Sequence, residues 1–217
     1  MTSRELLITG AEQLGIVLTG EQVNSFFIYL TELKKWNQKM NLTAIRDERD
    51  MIIKHILDSL SYLRGLDTTQ SKRLLDIGSG AGFPALPIKI AHPGISTILV
   101  ESIKKKASFL RHILRKLKLD EVEVVDKRVE TLFDIYKAAF DIVTVRALTD
   151  IKSAISVGSA FLKPGGLIIL SRGPEEFLNK QDLIKLPVTL EKRLEFSLPL
   201  SDYKRALWVF KKSLTEQ

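Results

Sequence analysis

The 217-residue chain contains no cysteine. Disulfides, thiolate metal sites and covalent catalysis through a thiolate are therefore excluded. Its three histidines, His55, His92 and His112, are scattered, with no spacing such as H-E-x-x-H, so no metal site is expected. No apolar run approaches the roughly 20 residues needed to span a bilayer. The opening stretch, "MTSRELLITGAEQLG", mixes acids among its apolar residues and lacks the apolar core of a signal peptide. Together these absences lead us to expect a cytoplasmic protein with no membrane partner.

What is present is apolar and basic. Hydrophobic residues make up 45% of the chain, enough for a sizeable core. The net charge of +7 is uneven: residues 1–70 carry eight basic and nine acidic side chains, whereas residues 71–217 carry 25 and 17. The basic excess therefore lies in the body and favours a polyanionic partner, without distinguishing RNA, DNA or an anionic surface.

Two patterns divide the chain. Residues 1–70 read as a helical extension. In "EQVNSFFIYLTELKKWNQKMN", Val23, Phe26, Phe27, Leu30, Leu33 and Trp36 recur at three and four, and "ERDMIIKHILDSLSYLRGL" repeats the pattern before the polar linker "DTTQSK". From 71 to 217 short β-rich runs alternate with helix-length segments: Arg73–Gly78, Ser96–Glu101, Glu121–Val125, Phe140–Val145 and Gly166–Ser171. Such alternation predicts a parallel sheet covered by helices on both faces. The last two runs, "PVTLEKRLEFSLP" and "KRALWVFKK", are too close for a crossover helix, so they predict an antiparallel hairpin. The expected architecture is α/β, Rossmann-like, with seven strands, mostly parallel, and the final strand at or near the edge.

The stretch "RLLDIGSGAGFP" carries the clearest chemical signal. Gly78, Gly80 and Gly82 follow a strand that ends through Asp76, where a ligand in an open parallel sheet would sit. Backbone without side chains permits close approach. The dinucleotide fingerprint G-x-G-x-x-G requires glycine at Phe83, and the P-loop pattern is absent. Acid-x-G-x-G-x-G before a bulky residue instead matches the first motif of class I S-adenosylmethionine-dependent methyltransferases. Glu101 ends the second strand, where a carboxylate can accept hydrogen bonds from both ribose hydroxyls. That role supports an adenosine ligand without separating S-adenosylmethionine from NAD. Val129 and Glu130, after the third strand, can flank an adenine. Pro84 suits a first helical turn. The candidate cofactor set is Asp76, Gly78, Ser79, Gly80, Gly82, Phe83, Glu101, Ser102, Val129, Glu130 and Arg146.

Missing motifs narrow the reaction. Methylation at pyrimidine C5 commonly needs a cysteine, and exocyclic-amine methylases of nucleic acids usually carry Asn/Asp-Pro-Pro-aromatic after the fourth strand. Here that position reads "DIVTVRALTD". An O- or N-methyl transfer without a covalent intermediate remains, and a ring nitrogen such as guanine N7 fits because it has a lone pair and no proton to remove. Arg146, the candidate catalytic residue, can grip a methionine carboxylate, a phosphate or a guanine edge. Alternatively it pairs with Asp150 one helical turn away. "SIKKKASFLRHILRKLKL" holds seven Lys/Arg and no acid. It reads as a helix that buries Phe109, Leu110, Ile113, Leu114 and Leu117 and turns its charges outward. Lys104 and Lys105 in it are candidate RNA contacts. His55, near Asp58 and Ser59, reads as a capping residue or one at the pocket mouth.

"WNQKMNLTAIRD", "HILDSL", "LLDIGSGAGFPALPI", "LVESIKKKASFLR", "RVETL" and "VRAL", in this order from about Phe26 to Val209, resemble the RsmG (GidB) family. The resemblance implies methyl transfer from S-adenosylmethionine to guanine N7 of 16S ribosomal RNA, on naked RNA or a small-subunit particle. It implies that Gly78, Phe83, Val129, Glu130 and Arg146 contact the cofactor and that Arg205 lies near the site. Ala85 replaces the family's usual glycine, which a helical position tolerates. Arg172-Gly173 stands for the usual Lys-Gly, and Arg172 and Arg205 are further candidate RNA contacts. A module that binds S-adenosylmethionine or RNA without methyl transfer is the alternative, and Phe83 disfavours an NAD-dependent oxidoreductase.

Overall fold

A computed structural model describes residues 1–66, 72–146, 150–176, 178 and 186–214. Most of the expected polar linker (67–71), and Ala147 and Leu148 of the V-R-A-L motif, lie outside the described residues. The sheet has seven strands in the order β3-β2-β1-β4-β5-β7-β6. β1 (Arg73–Ile77), β2 (Ser96–Val100), β3 (Val122–Val125), β4 (Phe140–Val145) and β5 (Leu162–Arg172) are parallel. β7 (Lys204–Lys212) is antiparallel to both β5 and β6 (Val188–Ser197). The hairpin forms as expected, with β7 inserted beside β5 and β6 on the edge.

Helices cover both faces. α1 (Ser3–Gln13), α2 (Gly20–Met40), α3 (Glu48–Met51), α4 (Asp58–Leu60), α5 (Ala85–Ala91) and α6 (Lys104–Leu117) pack on one side. α7 (Phe133–Tyr136) and α8 (Ile151–Ser159) pack on the other. Strand residues alternate between the two cores: Leu74 and Leu99 face the first, whereas Leu75, Ile77, Ile98 and Val100 face the second. The helical extension thus shares a core with the sheet.

Local signals explain how the extension reaches the glycine turn. Thr19 opens α2 with a reciprocal cap, its hydroxyl accepting from the Gln22 amide N–H at 3.2 Å while Gln22 Oε1 accepts from Thr19 N–H at 2.8 Å. Gln22 Nε2 also donates to the Ile90 and Ala91 carbonyls, at 3.0 Å each, joining this helix start to the end of α5. Val23, Phe26, Leu30 and Leu33 are buried, each contributing about 1.5–3 kcal/mol. Phe27 and Trp36, read as part of that stripe, are only partly buried. α2 stops at Asn41, which takes the left-handed conformation (φ 48°), and Asn37 Oδ1 then accepts from Thr43 N–H at 2.9 Å. The two asparagines of W-N-x-x-x-N-L-T therefore turn the chain so that Leu42 and Thr43 arrive beside the turn after β1. The second helical run is not uniform: a π-turn (Ile52–Leu57) links α3 to α4, and a 3₁₀ turn (Ser61–Gly65) follows.

Tyr29 is the direct link. Fully buried, it donates its hydroxyl to the Ala81 carbonyl and stacks on Phe83, with ring centroids 5.2 Å apart. Replacing Tyr29 by Phe leaves that carbonyl buried and unpaired, so Tyr29→Phe is expected to cost about 1–3 kcal/mol. Urea denaturation checks this; a midpoint equal to the parent's would show that the hydroxyl holds nothing.

Candidate active site

A cavity of about 700 Å³ opens at the carboxyl ends of β1, β2 and β4. That is where the strand order reverses, since the chain runs outward from β1 to β3 and then returns to β4 on the other side. One end is lined by Glu101, Ser102, Ile103, Val129 and Glu130, and the other by Leu42, Thr43, His55, Phe83 and Arg146, with Gly78, Ser79 and Gly80 between them. Nine of the expected cofactor residues thus meet in one cavity. Asp76 and Gly82 do not line it.

The glycines are needed for different reasons. Gly78, Gly80 and Gly82 all have positive φ, at 72°, 59° and 96°. The amides of Gly78 and Ser79 donate to the Val100 carbonyl at 2.9 and 3.0 Å, anchoring the turn to β2. At Gly80 an added Cβ would meet nothing nearer than 3.9 Å, so the space it would enter is the cavity itself. At Gly82 it would lie 2.5 Å from Leu86 and 2.7 Å from the Tyr29 hydroxyl. Packing against α5 and the helical extension, not a ligand, excludes a side chain there. Pro84 is the residue before α5, after a cis Phe83–Pro84 bond, and the helix itself begins at Ala85. This shifts the expected proline position by one and keeps Ala85 helical.

Glu101, 5% exposed, accepts from Gly80 N–H through Oε2 and from Ile103 N–H through Oε1, at 2.8 Å each. The backbone therefore fixes the carboxylate, and each oxygen keeps a lone pair for a further donor. Asp76 is fully buried under the turn; Oδ1 accepts from the Thr144 hydroxyl at 2.7 Å and Oδ2 has no partner among the described residues. Burial pushes this carboxyl up to about 7, against the pull of the Thr144 bond.

Phe83 lies between two rings. His55 stacks on it at 4.5 Å with planes 12° apart, and Tyr29 stacks at 5.2 Å. His55 Nε2 is 2.7 Å from Thr43 Oγ1. Burial, helped by the nearby Arg146 charge, brings its pKa down to about 3, so the imidazole is neutral. Arg146 does not pair with Asp150. Its Nη2 donates to the Lys54 carbonyl at 2.7 Å and to Asp58 Oδ2 at 3.1 Å, while Asp150 caps α8 by accepting from Ser153 N–H at 2.9 Å.

The candidate RNA residues disperse. Lys104 and Lys105 are exposed at the start of α6 but do not line the cavity, whereas Lys106 does, with Lys127 and Arg128. α6 buries Phe109, Leu110 and Ile113, while Leu114 and Leu117 are only partly covered. Arg172 does not present an open charge: it is 8% exposed and lies 3.5 Å from Glu176. Arg205 bonds Asp58 at 3.2 Å. The sequence reading did not assign Leu42, Thr43, Lys106, Lys127 or Arg128 to the site. Among the described residues no group of three or more His, Asp or Glu could hold a metal ion, and no helix is long and apolar enough to cross a membrane.

A family model described as rRNA small subunit methyltransferase G (GidB) matches residues 22–200. A protein named Ribosomal RNA small subunit methyltransferase G in Acetivibrio thermocellus is 38% identical over 214 residues, covering 96% of this chain and 88% of its own. Its namesake in Geobacter metallireducens is 38% identical over 211 residues, covering 95% of each. Among solved structures, M. jannaschii TYW2 in complex with AdoMet superposes with a TM-score of 0.55 at 14% identity, covering 72% of this chain and 75% of its own. Precorrin-6y C5,15-methyltransferase from Geobacter metallireducens gives 0.55 at 18%, covering 71% and 86%. These two likenesses concern the fold.

The two glycine environments separate in a binding assay. Gly80→Ala is expected to weaken binding of an adenosine ligand at least tenfold while costing about 1 kcal/mol of stability, the usual penalty of a left-handed residue. Gly82→Ala is expected to lose several times that stability through overlap with Tyr29 and Leu86. Calorimetry beside thermal melts reads both, and equal losses of stability would contradict the division. Asp76 gives a pH signature. Its folded-state pKa lies above its unfolded value of about 3.8, so its contribution is fully favourable below pH ~4 and is lost as pH rises through about 7. The melting temperature of Asp76→Asn minus that of the parent should therefore increase from pH 5 to pH 8; a flat difference would remove Asp76 from the titrating groups.

Proposed function

The chain belongs to the GidB family of small-subunit rRNA methyltransferases, and from that premise we propose that it transfers a methyl group from S-adenosylmethionine to N7 of a guanine in 16S ribosomal RNA. One observation carries the reading: an open glycine turn and a backbone-fixed acid at neighbouring strand ends face one cavity. The cavity fits this cofactor. Space at Gly80 would admit a ligand against the backbone, and Glu101 keeps lone pairs for ribose hydroxyls. Val129 and Glu130 would flank the adenine. Gly78, Ser79 and Arg146 would hold the methionine portion, with Arg146 free to serve the base as well.

When bound, the cofactor supplies an electrophilic methyl group on a positively charged sulfur. The protein's own task is then alignment and exclusion of water. Guanine N7 offers a lone pair, so no residue must accept a proton before transfer. His55, held neutral between Thr43 and Phe83, forms part of the wall and not a base. The charges of Lys106, Lys127 and Arg128 at the cavity, and of Lys104 and Lys105 outside it, favour approach of a polyanion and predict salt-sensitive binding. The proposal extends to a cytoplasmic protein that meets its RNA naked or in a small-subunit particle. It also divides the chain into a helical extension (1–70) and a methyl-transfer body (71–217) that share a core.

Incubation with labelled S-adenosylmethionine and unmodified small-subunit RNA, or partly assembled subunits, followed by mass mapping, tests activity and base together. Label is expected at a guanine N7. Label on another base would overturn the assignment, and tight cofactor binding without label on any RNA form would favour a binding module. Arg146→Ala is expected to lower transfer more than tenfold, as follows from losing a charge-assisted contact of about 1.5–3 kcal/mol. Unchanged turnover in the folded variant would make Arg146 purely structural.

A further inference from the structure

Asp58 stands outside the cavity lining, yet three strand ends converge on it. It is 2% exposed. Oδ2 accepts from Arg146 Nη2 at 3.1 Å; Oδ1 accepts from Arg205 Nε at 3.2 Å and from Ser171 Oγ at 3.2 Å. The Tyr62 hydroxyl, accepting from Ser171 N–H at 3.2 Å, steadies that strand from the same helical run. One carboxylate on α4 therefore ties together the ends of β4, β5 and β7.

The division of labour at Arg146 is informative. Among the described residues its bonds, to Asp58 and to the Lys54 carbonyl, both use Nη2, and Nη1 has no partner there. Since guanidinium is planar, fixing one arm from two directions sets the plane of the other. Arg205 is also held through a single nitrogen, Nε, on Asp58, with Nη1 reaching the Lys204 carbonyl at 3.1 Å. Its side chain remains 25% exposed, so it stands nearer solvent than Asp58. A carboxylate between two guanidinium groups also lets like charges lie close together, leaving the trio with a net positive charge.

We propose that Asp58 is a positioning residue: it orients Arg146 in the cavity and ties that orientation to Arg205, outside the cavity lining and nearer solvent, so that RNA engaged outside stays in register with the ligand inside. The RNA half of this inference rests on the proposed function. A staple that only stabilised the fold would give the same ion pairs, so the test needs readouts that such a staple would not move.

Asp58→Asn keeps shape and removes charge. In folded protein, cofactor affinity by calorimetry, KM for small-subunit RNA and kcat are compared with those of Arg146→Ala. Asp58→Asn is expected to lose at least tenfold in the same constant that Arg146→Ala loses. Combined with Arg205→Gln, it should lose less than the product of the two single effects, because Arg205 no longer has its anchor. A lowered melting temperature with all three constants within twofold of the parent would overturn the proposal, as would multiplicative losses in the double variant. Should Asp58→Asn fail to fold, Ser171→Ala removes one hydrogen bond from the same carboxylate; a fall of about fivefold in kcat/KM is expected, and no change overturns the idea. A parent protein that binds cofactor but methylates no RNA would count against the proposed function alone. Cofactor affinity then decides on Asp58: a loss of fivefold or more in Asp58→Asn supports it, and an unmoved affinity refutes it.

Discussion

The turn after β1 must be tightly packed on one side and bare on the other. Tyr29 reaches from α2 to the Ala81 carbonyl and stacks on Phe83, and a side chain at Gly82 would collide with that contact. On the opposite side Gly80 faces open space, and its N–H is taken by Glu101. A ligand site made of backbone has no side chains of its own to keep it in place. Its rigidity is borrowed from the helical extension, which explains why that extension shares a core with the sheet instead of hanging from it as an appendage.

The same packing sets the electrostatics. Asp76 is fully buried beneath the turn and His55 is stacked on Phe83, and burial drives both side chains toward their neutral forms: the carboxyl rises to about 7 and the imidazole falls to about 3. Asp58 is nearly as buried but receives donors from two arginines and a serine. The two buried aspartates thus keep different company: Asp58 lies between two arginines and a serine, whereas Asp76 accepts from the Thr144 hydroxyl. Permanent charge beside the cavity is then carried by Arg146 and the basic rim, an arrangement suited to a polyanionic substrate and not to moving protons.

Much of this was legible in the sequence. Alternating β-rich runs and helices located all seven strands, and the close spacing of the last two runs required a hairpin. Gly78, Gly80, Glu101, Val129, Glu130 and Arg146, picked out by their places after successive strands, line one cavity. What escaped was anything that depends on which residues distant in sequence meet in space. The alternative partner for Arg146, Asp150 a helical turn away, fails because Asp58 from 88 positions upstream takes that place and Asp150 caps α8. Gly82 was read with its neighbours as making room for a ligand, because a sequence does not reveal that Tyr29 will occupy the place of its side chain. Thr43 offered a weak signal, the asparagine pair before it, whose meaning lies in the left-handed stop of α2.

The dependence of a bare turn on outside support also bears on specificity. Many α/β proteins place a glycine turn after the first strand, and the turn alone recognises little beyond an adenosine-like ligand. Here part of the cavity wall is built from Leu42, Thr43 and His55, all contributed by the extension, and Lys54 and Asp58 from the same helical run grip Arg146. The residues that hold the turn in shape therefore belong to the segment that forms the remaining wall of the cavity. Cofactor geometry and substrate access are consequently not independent: a change in how α2 or the Glu48–Gly65 helical run sits on the sheet would alter both at once. That is a physical reason for the helical extension and the sheet to have a common core.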